Sequence, residues 1–212
     1  MQTIPAINET SFSEVAKKMK AAATFGTDWI HLDVADGKFT GNTLWNNPAD
    51  LSGAKGQLSH ISVEVHLMME NPDDVFEDWI DAGAKRVIVH LESVKDIEMM
   101  IEKCELLDAE LFLAISPDTA VEKLFEYENR SDGFLILAVT PGKAGQEFRD
   151  GQLEKIRILR RRFPDATLEV DGGVNYATAK KIKDAGADIL VSASAIWGSE
   201  NPKNAYLGLL NI

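Results

Sequence analysis

Two histidines and two aspartates stand at spacings that suit a metal centre. His31 and Asp33 are two apart in WIHLDVADGKF, His66 lies in VEVHLMMENP, and Asp171 lies in LEVDGGVNYATA. Along an extended strand, residues two apart point to the same side, so His31 and Asp33 share a face. If His66 and Asp171 converge on that face, the donors are two imidazoles and two carboxylates, a set that suits zinc, iron(II), manganese or cobalt. The bland alternative is four unrelated polar residues satisfied by hydrogen bonds. Four potential ligands, all at the ends of strand-like runs, favour a divalent metal cation.

Gly-bearing loops supply a second kind of chemistry. Asp171-Gly172-Gly173 precedes a helical pattern whose first backbone N–H groups point back at the loop, and Ser192-Ala193-Ser194-Ala195-Ile196 follows another strand in the same way. Such loops can hold an anion without any basic side chain. The run from Thr140 to Gln146 (TPGKAGQ) reads as a lid over bound substrate, or as an ordinary turn.

The elements that must position these groups alternate along the chain. Strand-like runs fall at 3–7, 29–34, 62–67, 86–89, 110–115, 133–138, 167–170 and 188–192. Amphipathic helical patterns lie at 12–23, 72–82, 97–106, 153–162 and 176–185, with weaker ones near 48–56, 119–127 and 201–210. Asn71 before Pro72 reads as an N-cap with a first-turn proline, and Asn175 as a second cap. DAGAKRVIV and DAGADILV look like one helix-to-strand unit used twice, with Gly83 and Gly186 ending their helices. Strict alternation predicts a parallel sheet, and this many repeats in 212 residues predict a single-domain (β/α)8 TIM barrel over 1–212. The rival is an open doubly wound sheet. It often carries a glycine-rich first turn, which Ile7-Asn8-Glu9-Thr10 lacks.

A barrel places its active site where strands end, and there the four ligands stand. Glu64 and Glu169 lie two residues before His66 and Asp171, so the same parity points them inward, one layer deeper. Branched apolar residues ordinarily fill that layer. We expect at least one of the two to accept the remote N–H of a ligand histidine; the alternative is a paired or solvated glutamate.

Composition narrows the partners. Hydrophobic residues make up 45% of the chain and the net charge is -12. The core can be sizeable, while nucleic acid and anionic membrane are repelled. A phosphate would have to be bound by local backbone groups or a metal. The lone Cys104 excludes a disulfide within the chain and reads as buried packing. No basic-then-apolar leader opens the sequence and no stretch is long enough to span a bilayer, so a cytoplasmic location is expected. His90 and Glu92 read as supporting groups, His60 as incidental, and Trp45, Trp79 and Trp197 as packing. Arg160, Arg161 and Arg162 read as a solvated helix end.

Taken together, the segments WIHLDVADGKF, VEVHLMMENP, LAVTPGKAGQEF, LEVDGGVNYATA and LVSASAIW resemble the ribulose-phosphate 3-epimerase family over nearly the whole chain. The resemblance implies metal ligands at His31, Asp33, His66 and Asp171, with Asp33 as proton acceptor and Asp171 as proton donor. It implies substrate contacts at His66, at Gly142, Lys143, Ala144 and Gly145, at Gly172 and Gly173, and at Ala193 and Ser194. It also implies a phosphorylated ketose as substrate and a homo-oligomer. The chain departs from the family's usual pattern at Ala6 (usually Ser), at Ala35 and Leu137 (usually Met), at Lys143 and Ala144 in the lid, and at Ala193 (usually Gly). The Lys143 side chain adds a cation that could reach phosphate but is read here as standing in solvent.

Several functions compete. One is metal-dependent epimerisation of ribulose 5-phosphate to xylulose 5-phosphate; a close variant acts on allulose 6-phosphate. A phosphosugar lyase usually places a lysine near the metal-binding acid, and only Lys38, past the turn, is near here. A non-catalytic phosphosugar-binding barrel is opposed by the presence of both Asp33 and Asp171.

Overall fold

The computed structural model describes residues 1–54, 56, 60–143 and 145–212. Eight strands close a barrel in chain order: β1 (Gln2–Ile7), β2 (Trp29–Ala35), β3 (Ser62–Met68), β4 (Arg86–His90), β5 (Glu110–Ile115), β6 (Gly133–Leu137), β7 (Thr167–Asp171) and β8 (Ile189–Ser192). All neighbours run parallel, and β1 pairs β8 from Gln2↔Ile189 to Pro5↔Ser192. Outside lie α1 (Phe12–Ala22), α2 (Pro48–Ala54), α3 (Phe76–Asp81), α4 (Ile97–Leu106), α5 (Gln152–Arg162), α6 (Tyr176–Ala185), α7 (Ser194–Trp197) and α8 (Pro202–Leu210). The expected single (β/α)8 TIM barrel is the fold.

Strand periodicity divides the side chains into two sets. On β3, Val63, Val65 and Leu67 face outward into the main core beneath the helices, whereas Glu64, His66 and Met68 face the axis. α1 buries Val15, Met19 and Ala22, one stripe at helical spacing. Val15 and Met19 each contribute roughly 1.5–3 kcal/mol on burial, and Ala22 less. Trp79 is fully buried, with the Trp45 ring edge-on at 5.4 Å. Trp197 covers β1, its Nε1 donating to the Ala6 carbonyl at 2.6 Å. All three tryptophans therefore pack, as expected. Cys104 is buried too, and burial pushes its thiol pKa up to about 12.

The repeated Asp-Ala-Gly-Ala unit is one structure built twice. Gly83 (φ 115°) and Gly186 (φ 110°) both take left-handed backbone. Their N–H groups bond the carbonyls of Ile80 and Lys183, and the next residues, Ala84 and Ala187, bond Trp79 and Ile182. Asn175 caps α6 with a reciprocal bond from Thr178.

Three expectations need correction. The pattern over 72–82 is not one helix but a 3-10 turn (Pro72–Asp74) followed by α3. Asn71 is left-handed (φ 52°) and makes no side-chain cap, and the Asp73 carboxylate is drawn away to accept from the N–H groups of Lys95 and Asp96. The segment near 119–127 is a 3-10 helix, Val121–Tyr127, whose buried Val121 and Leu124 stand three apart on one edge. Arg160 is not a solvated helix end. Its guanidinium donates to the carbonyls of Gly186, Pro164 and Ala166 and pairs with Asp188, tying α5 to the start of β8. Arg161 and Arg162 do sit outside, paired with Glu154 and Glu128. Among the described residues, no helix is long and apolar enough to cross a membrane.

At Gly186 a Cβ would lie 2.8 Å from Arg160 Cγ on top of the left-handed φ. Gly186→Ala is expected to cost about 1–2 kcal/mol in urea unfolding. An unchanged midpoint would show that the junction tolerates a side chain.

Candidate active site

The strand register brings the predicted ligands together. Asp33 pairs with His66 across β2 and β3, in the row above His31↔Glu64. From β7, Asp171 completes the group. One ligand atom from each of His31, Asp33, His66 and Asp171 lies within 4.8 Å of the others. Asp33 Oδ1 is the hub, 3.3 Å from His31 Nε2 and 3.2 Å from His66 Nδ1. Asp171 Oδ2 stands 3.8 Å from that same Nδ1. His31 and His66 are fully buried, whereas the Asp33 and Asp171 side chains keep 7% and 13% of their exposure. The carboxylates therefore reach the pocket and the imidazoles sit beneath them.

The remote nitrogen of each histidine is held by protein. His31 Nδ1 is 2.7 Å from Glu64 Oε1, so the deeper layer does carry an orienting carboxylate. His66 Nε2 is 2.9 Å from His90 Nε2, and His90 Nδ1 is 3.3 Å from Glu92. The tautomers that pair every donor with an acceptor give His31 an Nδ1–H toward Glu64. They give His66 an Nε2–H toward His90, and His90 an Nδ1–H toward Glu92. With a metal ion in place of the proton they otherwise share with Asp33, both ring nitrogens that face Asp33 would be lone pairs. That is how metal-binding imidazoles are normally supported, and the donor set fits a divalent ion.

Electrostatics separates the two aspartates. Burial raises the Asp33 pKa, but the hydrogen bonds and charge of His31 and His66 outweigh it and hold the carboxyl well below its usual range. Burial, then the negative charge of Asp33, pushes Asp171 up to about 7. His31 is opposed by burial yet held well above its usual pKa by Asp33, Glu169 and Glu64. Burial brings His66 down to about 4, with Asp33 opposing. The cluster thus attracts one positive charge strongly, and a metal cation would take the place of that proton.

One pocket joins Asp33 and Asp171 to Gly142, Lys143, Gly145, Gly172, Gly173, Ala193 and Ser194. Ala144 lies outside the described residues. Gly172 (φ 95°) and Gly173 (φ 68°) turn where no side chain fits: a Cβ would meet Val139 Cγ2 at 2.5 Å and Phe148 N at 2.4 Å. The 140–146 loop is tied down by Asn42 Nδ2 donating to the Gly142 carbonyl at 2.6 Å. Gln146 Nε2 also closes it on itself, donating to Thr140 and Lys143 carbonyls. The Lys143 side chain is exposed. His60 is far from this pocket and lines a crevice with the first residues of β3.

Sequence reasoning overlooked Asn8, whose amide donates to Asp33 Oδ2 at 2.8 Å. It directly follows β1, so the strand-end rule applied elsewhere would have found it. Asn42 and Gln146 carried no such signal, because their role is loop against loop. The smaller residues at the departures are filled around: Ala35 packs with Leu44, Met68 and Phe39.

Fold and site together define a (β/α)8-barrel enzyme with paired aspartates over a potential two-histidine, two-carboxylate metal site. Residues 2–197 match the Ribulose-phosphate 3 epimerase family, and the chain belongs to it. It is 34% identical to the ribulose-phosphate 3-epimerase of Chlamydia pneumoniae over 88% of this chain and 82% of that one. It is 32% identical to the cytoplasmic isoform from Oryza sativa subsp. japonica, over 93% and 88% of the two chains. Such relatives are isomerases acting on carbohydrates, and so is this chain. A 3-hexulose-6-phosphate synthase structure shares the fold, with TM-score 0.75 at 20% identity over 100% of this chain and 99% of that one.

The purified chain is expected to retain a divalent ion after gel filtration, measured by elemental analysis. His31→Ala and His66→Ala should each lose it while circular dichroism stays native. Full retention by both variants would show that the cluster is not the metal site.

Proposed function

We propose that this chain epimerises C3 of a ketose phosphate, interconverting D-ribulose 5-phosphate and D-xylulose 5-phosphate. The observation that carries this reading is the meeting of Asp33 and Asp171, from β2 and β7, at one pocket with the Gly-bearing loops. Epimerisation next to a ketone removes a proton from one face and returns a proton to the other. It therefore needs two acid–base groups on either side of the substrate plane. Asp33, held ionised, takes the C3 proton and gives an enediolate. Asp171 returns a proton from the other face. The roles exchange in the reverse direction. Asn8 holds the second oxygen of Asp33, aiming the first.

His31, Asp33, His66 and Asp171 would hold the divalent cation, with zinc, iron(II), manganese and cobalt all chemically suited. When bound, it supplies Lewis-acid stabilisation of negative charge on the substrate oxygens. Backbone groups of Gly142, Lys143, Ala144 and Gly145, of Gly172 and Gly173, and of Ala193 and Ser194 would receive the phosphate. This suits a chain whose net charge of -12 offers no long-range attraction to an anion. We take the enzyme to be cytoplasmic, like the rice relative, and a homo-oligomer.

The test is solvent deuterium exchange at the substrate carbon, with ribulose 5-phosphate and allulose 6-phosphate side by side. Faster exchange into the pentulose supports this reading, and preference for the hexulose moves the substrate assignment. Exchange into neither sugar by metal-loaded protein would sink it. Asp33→Asn and Asp171→Asn should each lower turnover by about 10²–10⁴-fold with the fold intact. Near-normal activity in either would remove that residue from its role.

A further inference from the structure

Below the metal cluster, the barrel floor holds a side chain that the reaction scheme does not use. Arg86 opens β4 and points inward, in register with Glu64 on one side and Glu110 on the other. Its NH1 lies 2.5 Å from Glu64 Oε2 and 3.4 Å from Glu169 Oε2, and its Nε and NH2 each lie 2.6 Å from Glu110 Oε2. The guanidinium is sandwiched between the rings of Trp29, at 4.3 Å, and Phe112, at 4.0 Å. Gly133 makes the room, since a Cβ there would lie 2.4 Å from the Phe112 ring. Arg86 is 5% exposed, and Glu64 and Glu169 not at all.

We propose that Arg86 is a positioning residue for the metal centre, acting through Glu64 and His31. Cross-strand register makes His31, Glu64 and Arg86 consecutive members of one row. Glu64 is the hinge of that row: one oxygen accepts from Arg86 NH1, whose Nε and NH2 fork is anchored on Glu110, and the other takes His31 Nδ1–H at 2.7 Å. A planar fork clamped between two aromatic faces has little freedom, and it stays charged at every working pH. It therefore fixes Glu64 as an acceptor, and Glu64 in turn aims His31 Nε2 at Asp33. His31, Glu64 and Glu169 also offer three atoms within 4.8 Å that could hold a cation of their own. The Arg86 guanidinium supplies that positive charge, leaving the upper cluster for the metal.

This inference rests on His31 being a metal ligand. Cobalt(II) titration against a competing chelator, followed by visible absorption, separates the two. Arg86→Met, alone and combined with Glu169→Gln, should bind cobalt about 10–100-fold more weakly, with shifted ligand-field bands. Glu64→Gln cuts the same link without removing the cation and should weaken cobalt to a similar extent. Arg86→Lys, which keeps the charge but not the fork, should recover part of the affinity. The loss of turnover should fall on kcat more than on KM. Melting of the metal-free proteins reports stability separately. Wild-type cobalt affinity and spectrum in any of the Met or Gln variants that folds would overturn the proposal and leave Arg86 only structural. If the wild-type chain takes up no cobalt, or His31→Ala takes it up equally well, the metal reading falls instead.

Discussion

Glu64 and Glu169 are fully buried inside the barrel, and a carboxylate taken out of water costs several kcal/mol unless a cation or good donors meet it. The architecture answers that constraint from two sides. Arg86 meets both glutamates from below, and His31 meets Glu64 from above. One cation does not suffice for two carboxylates. Burial and the charge of Glu64 push Glu169 up to about 8, so it is largely the protonated member, while His31 and Arg86 overcome the effect of burial on Glu64 and hold it low. Glu169 Oε1 has no hydrogen-bond partner among the described residues and stands 3.6 Å from His31 Nδ1.

The same logic recurs one layer higher. Asp33 and Asp171 approach a shared histidine, and like charges at that range are not both favoured without a cation. The pair therefore divides into a low and a raised carboxyl. Asn8, Glu64, His90 and Glu92 bear on which oxygen or nitrogen faces the pocket. The barrel serves as a rigid frame for this, because adjacent strands lock residues such as Asp33 and His66 side by side.

The wall and lid are where this chain differs from the pattern its family suggests. Ala35 is surrounded by Leu44, Met68 and Phe39, and the Ala6 carbonyl is occupied by Trp197. The 140–146 loop is held by Asn42 from the loop after β2.

Much of the fold was legible in the amino-acid order, because period-two and period-3.6 patterns are local consequences of backbone geometry. The strand-like runs, the duplicated Asp-Ala-Gly-Ala junction and the strand-end ligands all come from that source. Parity alone also put Glu64 and Glu169 on the inward face. What local pattern could not carry was register and competition between distant groups. Whether 72–82 stays one helix depends on Asp73 being claimed by the backbone of residues 95 and 96. Whether Arg160 is solvated depends on carbonyls up to 26 residues away. Arg86 begins its strand and looks like an ordinary surface residue until β3 and β4 align it with Glu64. Sequence alone determined the kinds of group that line the barrel. Only the tertiary structure decided which charges share a row, because that pairing is set by how strands slide past one another.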